Sequence, residues 1–398
     1  MPDRKSGDTS GDSYWNSKLC SQIISMPPSG IRVFFDIVAQ KKGVISLGVG
    51  EPDFVTPQII VNTAIESLRN GYTYYTGNAG LISLRRAIAT FLSESFEVDY
   101  DPDQEILITV GVSQGVDLAI RSIINPGDEI LFGSPNYVSY SPMIQLAGGK
   151  PVSIPTSFED KFLLMPDNVD KSCNKSTKGL LLNYPANPTG SSYPKNYLEK
   201  IAAVAQKNDL LVISDEIYAD LSYDYAHTAI SSLPGMKERT ILLGGFSKNF
   251  AMTGWRIGYA AGPKHWVKAM LKIHQYSMLC APTISQLAAE SALKNALHER
   301  DKMRETYAKR RNLITNGLNE IGLHTLMPEG AFYTFSNIKK TGLNSMEFAE
   351  KLLDQENVAV IPGTAFGEEG EGFIRCCYAT STDNLKKALE KINRFVNG

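Results

Sequence analysis

A lysine and an arginine stand eight residues apart in the stretch Gly244-Gly245-Phe246-Ser247-Lys248-Asn249-Phe250-Ala251-Met252-Thr253-Gly254-Trp255-Arg256-Ile257-Gly258-Tyr259. The apolar run 240–243 before them reads as a short buried strand, and two glycines then let the backbone bend. A lysine beside a core strand is costly unless its charge is paired or it is kept neutral. Kept neutral, it is a nucleophile that condenses with a carbonyl. The arginine suits a phosphate, because its planar fork donates two hydrogen bonds at once. A third chemical candidate, Asp215, ends the apolar run Leu210-Leu211-Val212-Ile213-Ser214. It is either the cap of a turn or a buried anion that keeps a neighbouring cation charged.

These residues need elements that bring them together. Apolar runs at 105–110, 129–132, 178–182, 210–214 and 240–243 read as five strands separated by helical stretches. Continuous runs of this kind predict a mostly parallel sheet covered on both faces. The runs end in Gly111-Val112-Ser113-Gln114, Ser134-Pro135-Asn136-Tyr137, Asn183-Tyr184-Pro185-Ala186-Asn187-Pro188-Thr189-Gly190, Asp215-Glu216-Ile217-Tyr218 and the lysine stretch. In parallel sheets, sites lie beyond the carboxyl ends of the strands, so five ends can furnish one cleft. A strand near 44–47 leads into the loop Gly48-Val49-Gly50-Glu51-Pro52-Asp53-Phe54, which is either a plain turn or a backbone closing on a small ligand. A proline break at Pro27-Pro28 opens a helix expected to end near Lys41, and another helix is expected over 81–96. From about 284 the pattern is long and helical to about 317, with short strands and two further helices after Pro328.

The lysine stretch resembles the pyridoxal-phosphate attachment segment of the class I aminotransferases, in the large fold-type-I group, and the likeness extends in order from about residue 30. The resemblance implies an α/β fold: a mostly parallel seven-stranded sheet sandwiched by helices, with a smaller α+β domain built from both chain ends. The corresponding expectation is a lead-in over 1–25, a small domain of 26–55 with 291–398, and a cofactor domain over 56–290. It further implies that Lys248 carries pyridoxal 5'-phosphate and Arg256 binds its phosphate, with backbone N–H groups of Val112 and Ser113 at a helix start. In Asp215-Glu216-Ile217-Tyr218, Asp215 would hold the ring nitrogen and Tyr218 the ring hydroxyl oxygen, which Asn187 would also bond. Tyr137 would stack on the ring. Tyr75, in the cluster Tyr72-Thr73-Tyr74-Tyr75-Thr76-Gly77, would reach the phosphate of a neighbouring subunit, which makes the expected assembly a homodimer with composite sites. Arg375, read from the residues alone as a cation on an edge strand, would grip the substrate α-carboxylate, with the Gly48 region touching substrate. One position departs from the family: where many members carry Ser or Thr as a phosphate ligand this chain has Gly245, and Ser247 stands in its place.

The activity so implied is transfer of an amino group from an L-α-amino acid to a 2-oxo acid such as 2-oxoglutarate. The alternative is a C–S β-lyase acting on cysteine or cystathionine, which shares fold and residues. A cofactor-sensing regulator would add a DNA-binding domain, for which the N-terminal lead-in is too short. Composition fits a small-molecule enzyme. The 398 residues are 43% hydrophobic and 21% charged, with a formal net charge of −2, a balance that points to no nucleic-acid or membrane partner. The polar start Met1–Ser17 reads neither as a secretory signal nor as a transit peptide. The five cysteines have no metal-like spacing, and reduced thiols in a cytoplasmic protein are the expectation.

Overall fold

The computed structural model describes residues 14–26 and 41–398. The helix expected to end near Lys41 lies outside the described residues. Within the lead-in, Ser21–Ser25 form one short exposed helix. The strands are β1 (Ile45–Ser46), β2 (Ile106–Thr109), β3 (Glu129–Ser134), β4 (Lys150–Pro155), β5 (Thr177–Asn183), β6 (Leu211–Asp215), β7 (Thr240–Gly245), β8 (Gly258–Ala261), β9 (Tyr333–Asn337), β10 (Val358–Ala359), β11 (Ile361–Pro362) and β12 (Phe373–Cys377). Seven of them form one sheet in the order β2-β8-β7-β6-β5-β3-β4. Only β8 is reversed, running antiparallel to both β2 and β7. The fold is therefore α/β around a mostly parallel seven-stranded sheet, as the resemblance implies.

The five apolar runs are β2, β3, β5, β6 and β7, each within two residues of its expected ends. Their side chains alternate between two helical layers, as the pleat requires. Leu107, Ile213 and Ile241 face the helices Gly111–Ile123 and Lys264–Ser277. Ile106, Ile108 and Leu242 face the helices Ile82–Phe96 and Thr283–Asn295 on the other side. The two strands not read from apolar runs have local reasons for their weak signals. β4 is an edge strand, mostly partly or fully exposed, and carries Pro151 and Pro155, which a central strand would not tolerate. β8 is Gly-Tyr-Ala-Ala, short and of low strand propensity. Its glycine is set by close packing: a Cβ on Gly258 would lie 2.9 Å from the Val112 nitrogen.

A second core lies beside this sheet. It contains the antiparallel sheet β11-β12-β9 and the parallel pair β1–β10, in which Ile45 is registered with Val358. Leu47, Phe335, Phe348, Ile374 and Ile392 are buried together there, under the helices Leu297–Ile321, Ser345–Glu356 and Thr382–Asn397. Strand β12 is the middle strand of its sheet and is buried throughout. Arg375 is only 3% exposed, so the edge-strand surface alternative is excluded. All five cysteines are free. Among the described residues no helix is long and apolar enough to cross a membrane, and no group of residues has the make-up of a metal site.

Candidate active site

The carboxyl ends of β2, β3, β5, β6 and β7 open on one cleft of about 740 Å³. Of the twelve residues singled out from the sequence, ten line it: Val112, Ser113, Tyr137, Asn187, Asp215, Tyr218, Ser247, Lys248, Arg256 and Arg375. Gly48 is one bond behind them, its carbonyl accepting from Arg375 Nη2 at 2.6 Å. Tyr75 is not in this cleft; it is 77% exposed on the surface.

Asp215 forms the floor. Register places it beside Asn183 of β5 and Leu243 of β7. It is 5% exposed. Tyr140 donates its hydroxyl to Oδ2 at 2.7 Å, and the Ile217 N–H donates to Oδ1 at 3.2 Å. Burial pushes the carboxyl up to about 6, against these two donors, which pull it down. No lysine or arginine bonds it among the described residues, so it is a buried acid whose anion lacks a cationic partner.

Lys248 faces the cleft from the end of β7. Its Nζ donates to the Gly50 carbonyl at 2.7 Å and lies 5.8 Å from the centre of the Phe332 ring. Enclosure of the ammonium pushes its pKa down to about 8, because a low-dielectric surrounding disfavours the charged form. A neutral amine is thus available near neutral pH.

The third feature is a buried guanidinium. Arg375 Nη1 donates to Asn187 Oδ1 at 2.8 Å, and the guanidinium packs on the rings of Tyr333 and Phe366 at 4.4 and 4.8 Å. Among the described residues its Nε is buried without a partner. Tyr218 shares a 2.7 Å hydroxyl–hydroxyl bond with Tyr333, and burial holds its phenol well above the usual tyrosine range.

At the far end of the cleft the helix Gly111–Ile123 begins, with no side chain capping it. Its open N–H groups favour an anion. Gly111 has φ +74°, and a Cβ there would lie 3.0 Å from Arg256 Nη2, so a glycine lets the guanidinium approach the helix start. Arg256 itself has φ +51°, a left-handed conformation that costs a non-glycine residue about 1 kcal/mol; Nη1 donates to the Thr253 carbonyl at 3.0 Å. The Gly245 departure also has a local explanation. A Cβ on Gly245 would lie 3.1 Å from Ile217 Cδ1 and 3.2 Å from Val112 Cγ2, so those side chains occupy the space a larger residue would need.

Sequence reasoning missed Tyr140, whose hydroxyl holds Asp215. It opens the helix Tyr140–Leu146, and no local signal in the sequence set it apart from a core aromatic. Asn183 and Thr253 also line the cleft unassigned. Together the arrangement can hold a flat cationic ring carrying an anionic tail, attack a carbonyl with an amine, and grip a carboxylate.

Comparisons with known proteins agree. A family model described as "Aminotransferase class I and II" matches residues 42–392. An aspartate aminotransferase of Pyrococcus abyssi is 46% identical over 372 residues, which are 93% of this chain and 96% of that protein. Aromatic-amino-acid aminotransferase 2 of Thermococcus litoralis is 43% identical over 381 residues, 95% of this chain and 98% of the relative. Among solved structures, an aromatic aminotransferase from Pyrococcus horikoshii OT3 superposes with a TM-score of 0.87 at 44% identity, covering 91% of this chain and 98% of that one.

Proposed function

The chain belongs to the class I and II aminotransferases, and from that membership we propose that it moves the amino group of an L-α-amino acid to 2-oxoglutarate in two ping-pong half-reactions. Members of this family work with pyridoxal 5'-phosphate, and the cleft fits it. Asp215 is a buried acid short of a cation, the uncapped helix start and Arg256 offer an anion site, and Lys248 is an amine with a lowered pKa. Bound there, the cofactor supplies an electron sink for the bond broken at the substrate α-carbon.

The chain's own residues do the rest. Lys248 would hold the cofactor, and its free Nζ would take the α-proton and later deliver it. Asp215 keeps the ring nitrogen charged. Tyr218 and Asn187 donate to the ring oxygen, and Tyr137 covers a ring face. Val112, Ser113, Ser247 and Arg256 hold the phosphate. Arg375, beside Asn187 and Gly48, takes the α-carboxylate as a bidentate pair. We read 26–55 with 291–398 as the smaller body and 56–290 as the cofactor-holding one, supported by the pairing of Ile45 with Val358. The same reading puts the protein in the cytoplasm, supported by its free thiols.

One observation carries the proposal: a nucleophilic amine, a buried anion and a carboxylate receptor share one cleft. Relatives that are aspartate and aromatic-amino-acid aminotransferases make both donor types candidates, and the Tyr333 ring lining the cleft beside Arg375 favours aromatic or other apolar donors. The test is a panel of tyrosine, phenylalanine, methionine and aspartate against 2-oxoglutarate and pyruvate. Glutamate is expected from at least one donor. Cysteine and cystathionine are expected to release little pyruvate; fast pyruvate and ammonia release with no glutamate from any donor would instead establish the lyase.

We also propose a homodimer in which Tyr75 completes the partner's phosphate site. Support comes from the exposure of two adjacent aromatic side chains, Tyr74 and Tyr75, at 63% and 77%. Tyr75→Phe is expected to weaken cofactor retention about tenfold, the scale of a hydrogen bond to a charged group. Mixing it with an inactive Lys248→Ala chain should restore one sound site per hybrid dimer. An active monomer at high dilution, or no recovery in hybrids, overturns the shared site.

A further inference from the structure

The segment between β11 and β12 makes two short 3-10 turns, Gly363–Phe366 and Glu368–Gly370. It belongs to the second core, where Phe366 is 2% exposed, yet it reaches across to the carboxyl end of β3. The Asn136 N–H donates to the Phe366 carbonyl at 2.9 Å, and the Ser134 hydroxyl donates to Glu369 Oε2. The approach is close. Gly367 has φ +130°, and a Cβ on it would fall 2.3 Å from Ser134 Oγ. The segment is also folded tightly on itself: a Cβ on Gly363 would fall 2.1 Å from the Gly370 carbonyl oxygen. What it presents inward is the Phe366 ring, 4.8 Å from the Arg375 guanidinium.

We propose that Ser134 and Glu369 are positioning residues: their bond clasps the 363–370 segment to β3 and thereby holds Phe366 against Arg375, setting how tightly the substrate α-carboxylate is bound. The inference rests on the reading of Arg375 as the carboxylate site. An arginine side chain loses rotamer freedom when it pairs with a carboxylate, and pinning it beforehand removes that cost from the binding step. The carboxylate contact is made equally in the bound substrate and in the transition state. Loosening it therefore raises KM and leaves kcat alone. Donor and oxo acid present the same carboxylate, so both KM values should move together.

The experiment compares the holoenzyme with Ser134→Ala, Glu369→Gln, the double variant and Arg375→Lys. It measures kcat and KM for one amino donor and one oxo acid, with cofactor absorbance and thermal midpoint as controls. Ser134→Ala is expected to raise both KM values roughly fivefold, the ratio one net hydrogen bond supports, with kcat unchanged. Glu369→Gln keeps an acceptor oxygen and should give a smaller rise in the same sense. The double variant should be no worse than Ser134→Ala. If Ser134→Ala does not fold, Glu369→Gln carries the test, because its side chain is only partly buried. Unchanged KM values, or a fall in kcat that tracks cofactor loss or a lowered midpoint, overturn the clasp. If Arg375→Lys raises both KM values while the clasp variants do not, only the clasp is wrong. If Arg375→Lys also leaves KM unchanged, the carboxylate reading of Arg375 has failed.

Discussion

Replacing Lys248 with alanine is expected to lower kcat at least about ten-thousandfold, the upper range for a single positioned proton-transfer group. Two proposed roles would be lost together, the covalent hold on the cofactor and the base that moves the α-proton. Among the described residues no neighbour can substitute: the other cations lining the cleft are Arg256 and Arg375, and arginine is protonated at any working pH. A companion result concerns pH. With its pKa pushed down to about 8, Lys248 is half neutral at that pH, whereas an ordinary lysine is neutral to well under ~1%. The rate at which cofactor-free protein takes up pyridoxal phosphate covalently should therefore rise with pH with a midpoint near 8. Borohydride reduction and peptide mass mapping locate the attachment. A reduced cofactor on another lysine would sink the assignment, and a midpoint above 10 would show that burial does not tune this amine.

Asp215→Asn should still bind the cofactor, with the lower affinity expected of a neutral side chain, and lose most of the rate, by about 3 kcal/mol or more of transition-state stabilisation. Retention follows because Lys248, Arg256 and the helix start are untouched. The rate falls because a neutral amide cannot keep a ring nitrogen protonated. The sign of the pH dependence follows from the raised pKa. Asp215 is an anion above about 6 and is neutralised as pH falls through that value, so in the wild type cofactor affinity should weaken below about pH 6. The Asn variant should lack that acid limb. Tyr140→Phe removes the 2.7 Å donor that stabilises the anion. The carboxyl pKa then rises further, and the acid limb should move to higher pH without vanishing. Cofactor titrations followed by absorbance from pH 5 to 8 distinguish the three proteins. Wild-type turnover in Asp215→Asn would reduce this residue to a structural cap.

Much of the candidate site was legible because its residues sit next to strong local signals. Lys248 follows the run Thr240–Leu243, Asp215 ends Leu210–Ser214, and Asn187 follows Lys178–Leu182. Each run is a largely buried strand whose end must leave the sheet, and chemistry-bearing residues at such ends converge when the strands are parallel. Tyr140 and Tyr333 carry no such mark. Both are aromatic residues that pack well anywhere in a core, and only the fold turns their hydroxyls onto Asp215 and Tyr218. Arg375 lay between: the sequence marked a cation in a strand, while its burial depended on β11 and β9 flanking β12.

By itself, the sequence determined the five parallel strands, the polar residues at their carboxyl ends and the lysine-centred segment, because a continuous apolar run of strand length is stable only when both faces are covered. Local chemistry at its end is then written in adjacent residues. Tertiary structure alone decided what depends on contacts distant in the chain. Packing against the backbone of the helix start made a strand of Gly258–Ala261. The sheet order set Asn183 beside Asp215, and Gly48 and Asn187 converged on Arg375 from the other half of the chain. The pKa values of Lys248 and Asp215 belong to this second class, since they are set by which groups exclude water around them, and no residue's neighbours in sequence specify that.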